Sequence, residues 1–260
     1  MSGEFAPLPP GLLAVARAAR RVVVLTGAGM SSESGIPTFR DKVSGLWARW
    51  RPEDLATPDA FARQPAVVWA WYEARRRQVA RAQPNAGHRA LRELAALPQV
   101  QALAVVTQNV DDLHERAGST EVLHLHGSLF APRCFDCAHP FALPADERAD
   151  APEAASLPPP RCTRCGGPVR PGVVWFGEAL PEAPWRAALA RVAVADLVLV
   201  VGTSGLVYPA ASLPDTARQH GAQVVILNPD ADARGAPGDI VWQTTAAAGL
   251  PALVAALRAG

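Results

Sequence analysis

The apolar residues of this chain fall into short unbroken runs separated by polar stretches. Val22-Val23-Val24-Leu25 is such a run, and Gly27 stops it. A run that is apolar at every position, without alternation, predicts a strand buried on both faces, as in a parallel sheet. Ala102 to Thr107, Val122 to His126, Asp196 to Val201 and Val224 to Leu227 repeat the pattern. Helical patterns stand between most of these runs. Leu12 to Ala19 reads as a short helix and Asn85 to Ala96 as a longer one. Pro65 to Arg81 reads as a helix with Pro in its first turn, ending before Pro84, and Leu250 to Arg258 as a closing helix. Strands alternating with helices predict an α/β fold with a doubly wound, Rossmann-like parallel sheet.

Three stretches depart from this pattern. Residues 1–10 form a Pro-containing tail, and Gly35 to Gly45 is rich in turn formers. Residues 130–171 hold all four cysteines, and the segment Ala138 to Arg161 carries six prolines and four acids. They read as a smaller inserted module with a flexible surface loop between its halves. The chain then divides into a nucleotide-binding domain (11–35, 84–129 and 172–260), a helical part of a small domain (36–83) and the cysteine module (130–171).

With 260 residues, 49% of them apolar, the chain can bury a real core and is not disordered as a whole. Its 25 basic and 24 acidic residues leave a formal charge of +1, which gives no electrostatic case for general nucleic-acid binding, since that needs a basic face. Lys42 is the only lysine, and this arginine bias beside abundant Ala reads as codon usage. No stretch approaches the ~18–20 apolar residues that cross a bilayer. The N-terminus, with Glu4 and several prolines, lacks a basic-then-apolar leader. No membrane partner and a cytoplasmic location are expected, where cysteines serve as ligands rather than disulfides.

Cys134-x-x-Cys137 and Cys162-x-x-Cys165, 24 residues apart, offer four thiolates to one tetrahedral Zn²⁺. Full thiolate coordination leaves no open position, so the metal would be structural. Two disulfides or free thiols are the plainer alternatives. Elsewhere, polar groups cluster where strands end, the side on which open α/β sheets bind ligands. Gly27-Ala28-Gly29 follows the first strand and Thr107-Gln108-Asn109-Val110-Asp111 the second; Gly202-Thr203-Ser204 and Asn228 follow later ones. Glycines there permit a tight turn and close approach to a pyrophosphate, but the third glycine of the dinucleotide fingerprint is Ser32. On these residues alone, a nucleotide site and ordinary strand-to-helix turns are both open. Of six histidines, His124 and His126 stand two apart on a predicted strand, and His126 is directly before Gly127. The ordinary imidazole pKa of ~6.5 suits proton transfer near neutrality.

The fourteen residues Gly27-Ala28-Gly29-Met30-Ser31-Ser32-Glu33-Ser34-Gly35-Ile36-Pro37-Thr38-Phe39-Arg40 resemble the signature of the sirtuin family almost throughout. Gln108-Asn109-Val110-Asp111, His126-Gly127, the four cysteines and Val173-Val174-Trp175-Phe176-Gly177-Glu178 follow in the family's order. Together they span roughly residues 11–258. The resemblance implies an NAD-dependent protein-lysine deacylase with NAD as co-substrate and one structural Zn²⁺. It implies NAD contacts from Gly27, Ala28, Gly29, Ser31, Glu33, Ile36, Pro37, Thr38, Phe39, Arg40 and Trp47, with Ser34 to Trp47 as a mobile cofactor loop. Further contacts fall on Gln108, Asn109 (nicotinamide ribose), Asp111 (nicotinamide amide), Gly202, Thr203, Ser204 and Asn228. Ala246 falls near the adenine position, although its neighbours depart from the usual Gly-Pro turn.

His126 is implied as the base that takes a proton from a ribose hydroxyl, with His124 in support. The acyl group passes to ADP-ribose, and nicotinamide and free lysine are released. Val174, Trp175, Phe176 and Gly177 are implied to bind an acyl-lysine protein substrate as an extended peptide added to a strand. Tyr72 and Arg75, three apart on one predicted helix, resemble the Tyr-x-x-Arg pair of the desuccinylase-like class, which binds an acidic acyl group. A solvated arginine-rich helix face is the plainer reading of that segment. The in-family alternative is protein ADP-ribosylation. A non-catalytic NAD-binding or zinc interaction module is the alternative of a different class, against which His126, Asn109 and Asp111 argue.

Overall fold

The computed structural model describes residues 7–37, 52–143 and 154–259. Its elements in chain order are α1 (Leu12–Ala18), β1 (Arg21–Thr26), α2 (Pro52–Leu55), α3 (Pro58–Arg63), α4 (Pro65–Arg81) and α5 (Ala86–Ala95). Then come β2 (Ala102–Thr107), α6 (Leu113–Arg116), β3 (Val122–His124), β4 (Gly127–Cys134), β5 (Val169–Val173) and α7 (Glu182–Ala193). The chain closes with β6 (Leu197–Val201), α8 (Leu213–Gln219), β7 (Gln223–Leu227), β8 (Ile240–Trp242) and α9 (Ala246–Arg258).

Six strands form one parallel sheet in the order β3-β2-β1-β6-β7-β8. The uniform apolar runs find their cause here. Val22 to Leu25 and all of β6 are buried, because helices cover both faces of the sheet. One face packs against α1, α5 and α9 and the other against α7 and α8. A third apolar cluster joins α3 and α4 to Leu129, Val173 and Trp175, away from the sheet. The order in which strands are added reverses between β1 and β6, the position where an α/β sheet opens a crevice at its carboxyl edge. Among the described residues no helix is long and apolar enough to cross a membrane.

Three elements differ from the sequence expectation. β3 ends at His124, and Gly127 turns the chain with φ +74°; His126 therefore lies beyond the strand and not on a shared face with His124. Helix α9 begins at Ala246, four residues before the expected Leu250. Pro251 reads as a first-turn proline, but Thr245 caps the helix earlier by accepting from Ala248 N at 3.3 Å. β8 is a three-residue edge strand, too short to show a period. The β4–β5 ribbon is antiparallel and extends past both expected limits of the inserted module, to Gly127 and Val173.

Asn85 ties α5 to the first glycine turn. Its carbonyl oxygen accepts from Gly87 N and His88 N, while its amide donates to Met30 O at 2.8 Å and Ser34 Oγ at 3.1 Å. Replacing Asn85 by Ala should destabilise the protein by about 2 kcal/mol or more, the lost cap added to the lost bonds. Urea unfolding checks this, and an unchanged midpoint would show that the tie carries no stability.

Candidate active site

The first glycine turn does not open a long helix. After β1 the chain makes two short 3₁₀ turns, Ala28–Met30 and Ser32–Ser34. Its glycines are demanded by another backbone. Gly29 N donates to Gly202 O at 2.8 Å, and a Cβ on Gly29 would fall 2.7 Å from Gly202 Cα. Gly27 is similarly tight, with its would-be Cβ 2.9 Å from Gly202 O, and Gly202 holds φ +60°. The turns after β1 and β6 thus interlock at the switch point.

Two hydrogen-bonded chains spread from this interlock along the carboxyl edge. On one side, buried Ser31 donates to Asp111 Oδ2 at 2.9 Å and accepts from Asn109 Nδ2 at 3.0 Å. On the other, Gln108 Nε2 donates to Thr203 Oγ1, and Asn228 Nδ2 to Thr203 O, both at 3.2 Å. This polar shelf crosses β2, β1, β6 and β7, roughly 14 Å at ordinary strand spacing. It fits an elongated, multiply polar ligand laid across the sheet, as a dinucleotide is. Burial raises the Asp111 carboxyl, while Leu113 N–H and the Ser31 hydroxyl oppose that rise. Beneath the shelf, Thr26, Thr107 and His114 form a buried network that sequence reasoning does not reveal.

The two histidines differ in state. His126 Nδ1 meets Gln108 O at 3.1 Å, and a carbonyl can only accept. Nδ1 therefore carries the proton, and the neutral ring keeps a basic lone pair on Nε2. Burial lowers its pKa, which the Gln108 carbonyl only partly offsets. His124 donates from Nδ1 to Asn109 O at 3.2 Å and pairs through Nε2 with Glu115 at 2.6 Å. Burial opposes the charge of His124, but Glu115 and the Asn109 carbonyl outweigh it and raise its pKa. Glu115 carries no earlier signal, being an acid on an exposed helical turn.

Other expected residues are distributed as follows. Ala28 is half-buried, Ile36 is buried in the third cluster, Pro37 is exposed, and Ser204 is exposed beside Thr203. The Glu33 carboxylate accepts from Thr245 Oγ1 at 3.1 Å and Ala247 N at 3.0 Å, so it fastens the start of α9. Ala246 is buried at that start, and its carbonyl lies against Gly87. Thr38, Phe39, Arg40 and Trp47 lie outside the described residues.

The segment after β5 is a tight turn rather than a free strand edge. Val174 N donates to His126 O, Trp175 N to Glu178 and Phe176 N to Ala56 O, at 2.8, 2.8 and 3.0 Å. Its N–H groups from Val174 to Phe176 thus already have partners within the protein. Phe176, half exposed, and Gly177 line an open cleft with Asp54, Thr57 and Arg63. Leu206 and Tyr208, both more than 70% exposed, follow the Gly202 turn and were missed, because an apolar residue in a loop gives no pattern. Tyr72 is buried and Arg75 half-buried, with the Arg75 guanidinium 4.9 Å from the Trp71 ring centroid.

The four cysteines converge at the far end of the β4–β5 ribbon, with their Sγ atoms all within 4.8 Å of one another. Cys134 and Cys165 are 3.4 Å apart, Cys137 and Cys162 3.8 Å. A disulfide needs about 2.05 Å. Thiolates at ~2.3 Å from Zn²⁺ in a regular tetrahedron stand about 3.8 Å apart, so the group fits zinc.

A sequence model of the Sir2 family matches residues 27–209. The chain is 58% identical over 211 residues to NAD-dependent protein deacylase 1 of Pseudomonas aeruginosa, covering 81% of this chain and 84% of that one. A solved Sir2 homologue in complex with NAD superposes with a TM-score of 0.86 at 43% identity, over 98% of this chain and 96% of the other. A Sir2 homologue mutant in complex with 2′-O-acetyl-ADP-ribose superposes at 0.85 with 44% identity, over 97% of each chain.

Purified protein should carry one Zn²⁺ per chain. Replacing Cys134 by Ser should release the metal and lower the unfolding midpoint, since binding is coupled to folding. Elemental analysis showing no zinc in fully stable protein would refute the assignment.

Proposed function

The chain belongs to the Sir2 family and is an NAD-dependent enzyme of the protein-deacylase type; for this chain we propose that the acyl groups removed from protein lysines include succinyl and malonyl as well as acetyl. The deacylase chemistry rests on the tautomer of His126: a neutral imidazole whose Nε2 has no partner among the described residues, anchored on the strand end that also bears Asn109 and Asp111. When bound, NAD supplies the ribose carbon that accepts the acyl oxygen as nicotinamide departs. Gly27 to Ser31, Gln108, Gly202 to Ser204 and Asn228 hold the dinucleotide along the polar shelf. Asn109 and Asp111 orient its nicotinamide end. His126 Nε2 takes and holds the proton released by a ribose hydroxyl. Glu33 fastens the start of α9, where Ala246 lies, and so would support the adenine end of the dinucleotide.

The acidic-acyl reading rests on Tyr72 and Arg75. A guanidinium offers a planar fork of donors to a carboxylate, and a phenol adds one more. The substrate lies extended beside Phe176, Leu206 and Tyr208, whose exposed apolar surface covers the lysine's flanks. Peptide bonding must use groups other than the engaged N–H groups of Val174 to Phe176.

His126→Tyr should abolish deacylation and leave a folded protein that binds NAD, as calorimetry and an acyl-peptide assay can read. In the wild type, the base form exists above the His126 pKa, which burial holds below the ordinary ~6.5. Activity should therefore persist at pH 6.5 and fall only at more acid pH. An acid limb centred above that value would assign the base elsewhere.

Arg75→Met should reduce desuccinylation about ten- to hundredfold, because a bond to a charged group contributes ~1.5–3 kcal/mol. Deacetylation should fall much less. Equal losses in both assays would remove Arg75 from the acyl pocket.

A further inference from the structure

Trp175 is among the most firmly held side chains in the molecule, and it touches the residue proposed to read the acyl group. It is 2% exposed and packs against Phe61 and Phe135 with ring centroids 5.4 and 6.4 Å apart. The Arg170 guanidinium lies 3.4 Å from its ring centroid. Arg170, itself buried, pairs two-pronged with Glu178 and donates to the carbonyls of Pro171 and Val173. Glu178 closes the loop by accepting from Trp175 N at 2.8 Å. The indole Nε1–H then donates to the Tyr72 hydroxyl oxygen at 2.9 Å in a buried setting.

An indole N–H can only donate, so at this bond Tyr72 is the acceptor. The Tyr72 proton must point elsewhere. Burial holds that hydroxyl above its ordinary range, against the opposing influences of Trp175 and Arg75, so it stays protonated. Arg75, whose charge acts on Tyr72, carries donors only as well.

Resting on the acidic-acyl reading above, we infer that Trp175 is a specificity-positioning residue: its indole N–H holds Tyr72 as a donor, and Arg170 and Glu178 keep the indole in place. Two such donors matched to one acyl terminus favour a chain ending in a carboxylate. They disfavour the same chain ending in a neutral amide, which brings donors of its own.

The test compares kcat/KM for succinyl- and acetyl-lysine peptides on the zinc-loaded enzyme and on Trp175→Phe, Tyr72→Phe, the double variant and Arg75→Met. Trp175→Phe keeps an aromatic ring and should lower the succinyl-to-acetyl ratio about tenfold. In the Tyr72→Phe background the same change should lower the ratio no further, since the two act through one hydroxyl. Glu178→Gln retains the indole, should move the ratio the same way, and provides the reading if Trp175→Phe does not fold. An unchanged ratio, or losses that multiply in the double variant while Arg75→Met behaves as expected, overturns the role of Trp175. Absent desuccinylation by the wild type, or equal losses in Arg75→Met, overturns the acidic-acyl reading and this inference with it.

Discussion

Gly27, Gly29 and Gly202 approach so closely that a side chain on any of them would enter the backbone of the opposite turn. Everything at the carboxyl edge depends on that approach. Because the turns after β1 and β6 share hydrogen bonds, Ser31 is brought to Asp111 and Asn109, and Thr203 to Gln108 and Asn228. A single Cβ would push the turns apart by a sizeable fraction of an ångström. Both polar chains would then lose the 2.9–3.2 Å distances on which they rest. In this chain the glycines serve the protein's own backbone first, and through it the ligand.

The same edge sorts its ionisable groups by partner rather than by type. His124 and His126 are two residues apart and donate to consecutive carbonyls, yet one faces a carboxylate and the other does not. Glu115 raises the pKa of the first, and burial lowers that of the second. Burial pushes the nearby Asp111 carboxyl up, and the Ser31 hydroxyl and Leu113 N–H oppose that rise.

Much of this was legible in the sequence for identifiable reasons. Strands covered on both faces leave an unbroken apolar run, so β1, β2, β6 and β7 showed plainly. The two cysteine knuckles and the limits of α4 were equally clear, because spacing and proline act locally. What was hidden depends on distant partners. Glu33 reaches Thr245 across 212 residues of sequence, and nothing near either residue announces the contact. Arg170 sits on the short strand β5 and Glu178 in the turn that follows, both too brief for burial to leave a period. The true start of α9 was hidden because Thr245, which caps it, stands ahead of the apolar run that begins at Leu250.

The β4–β5 ribbon joins the proposed metal at one end to the proposed chemistry at the other. β4 runs from the residue after His126 to Cys134, and β5 from just beyond Cys165 and Gly167 toward Trp175. Side chains on a strand alternate between faces, so a slip of one position would exchange inside for outside along the whole ribbon. The ribbon already carries an irregularity between Ser128 and Arg133, a place where such a slip could be absorbed. Four thiolates gathered at one point forbid it, since neither strand can advance without dragging its sulfurs out of the tetrahedron. A metal held by these four thiolates would thus fix the register of the two strands that lead to His126 and to the turn carrying Trp175.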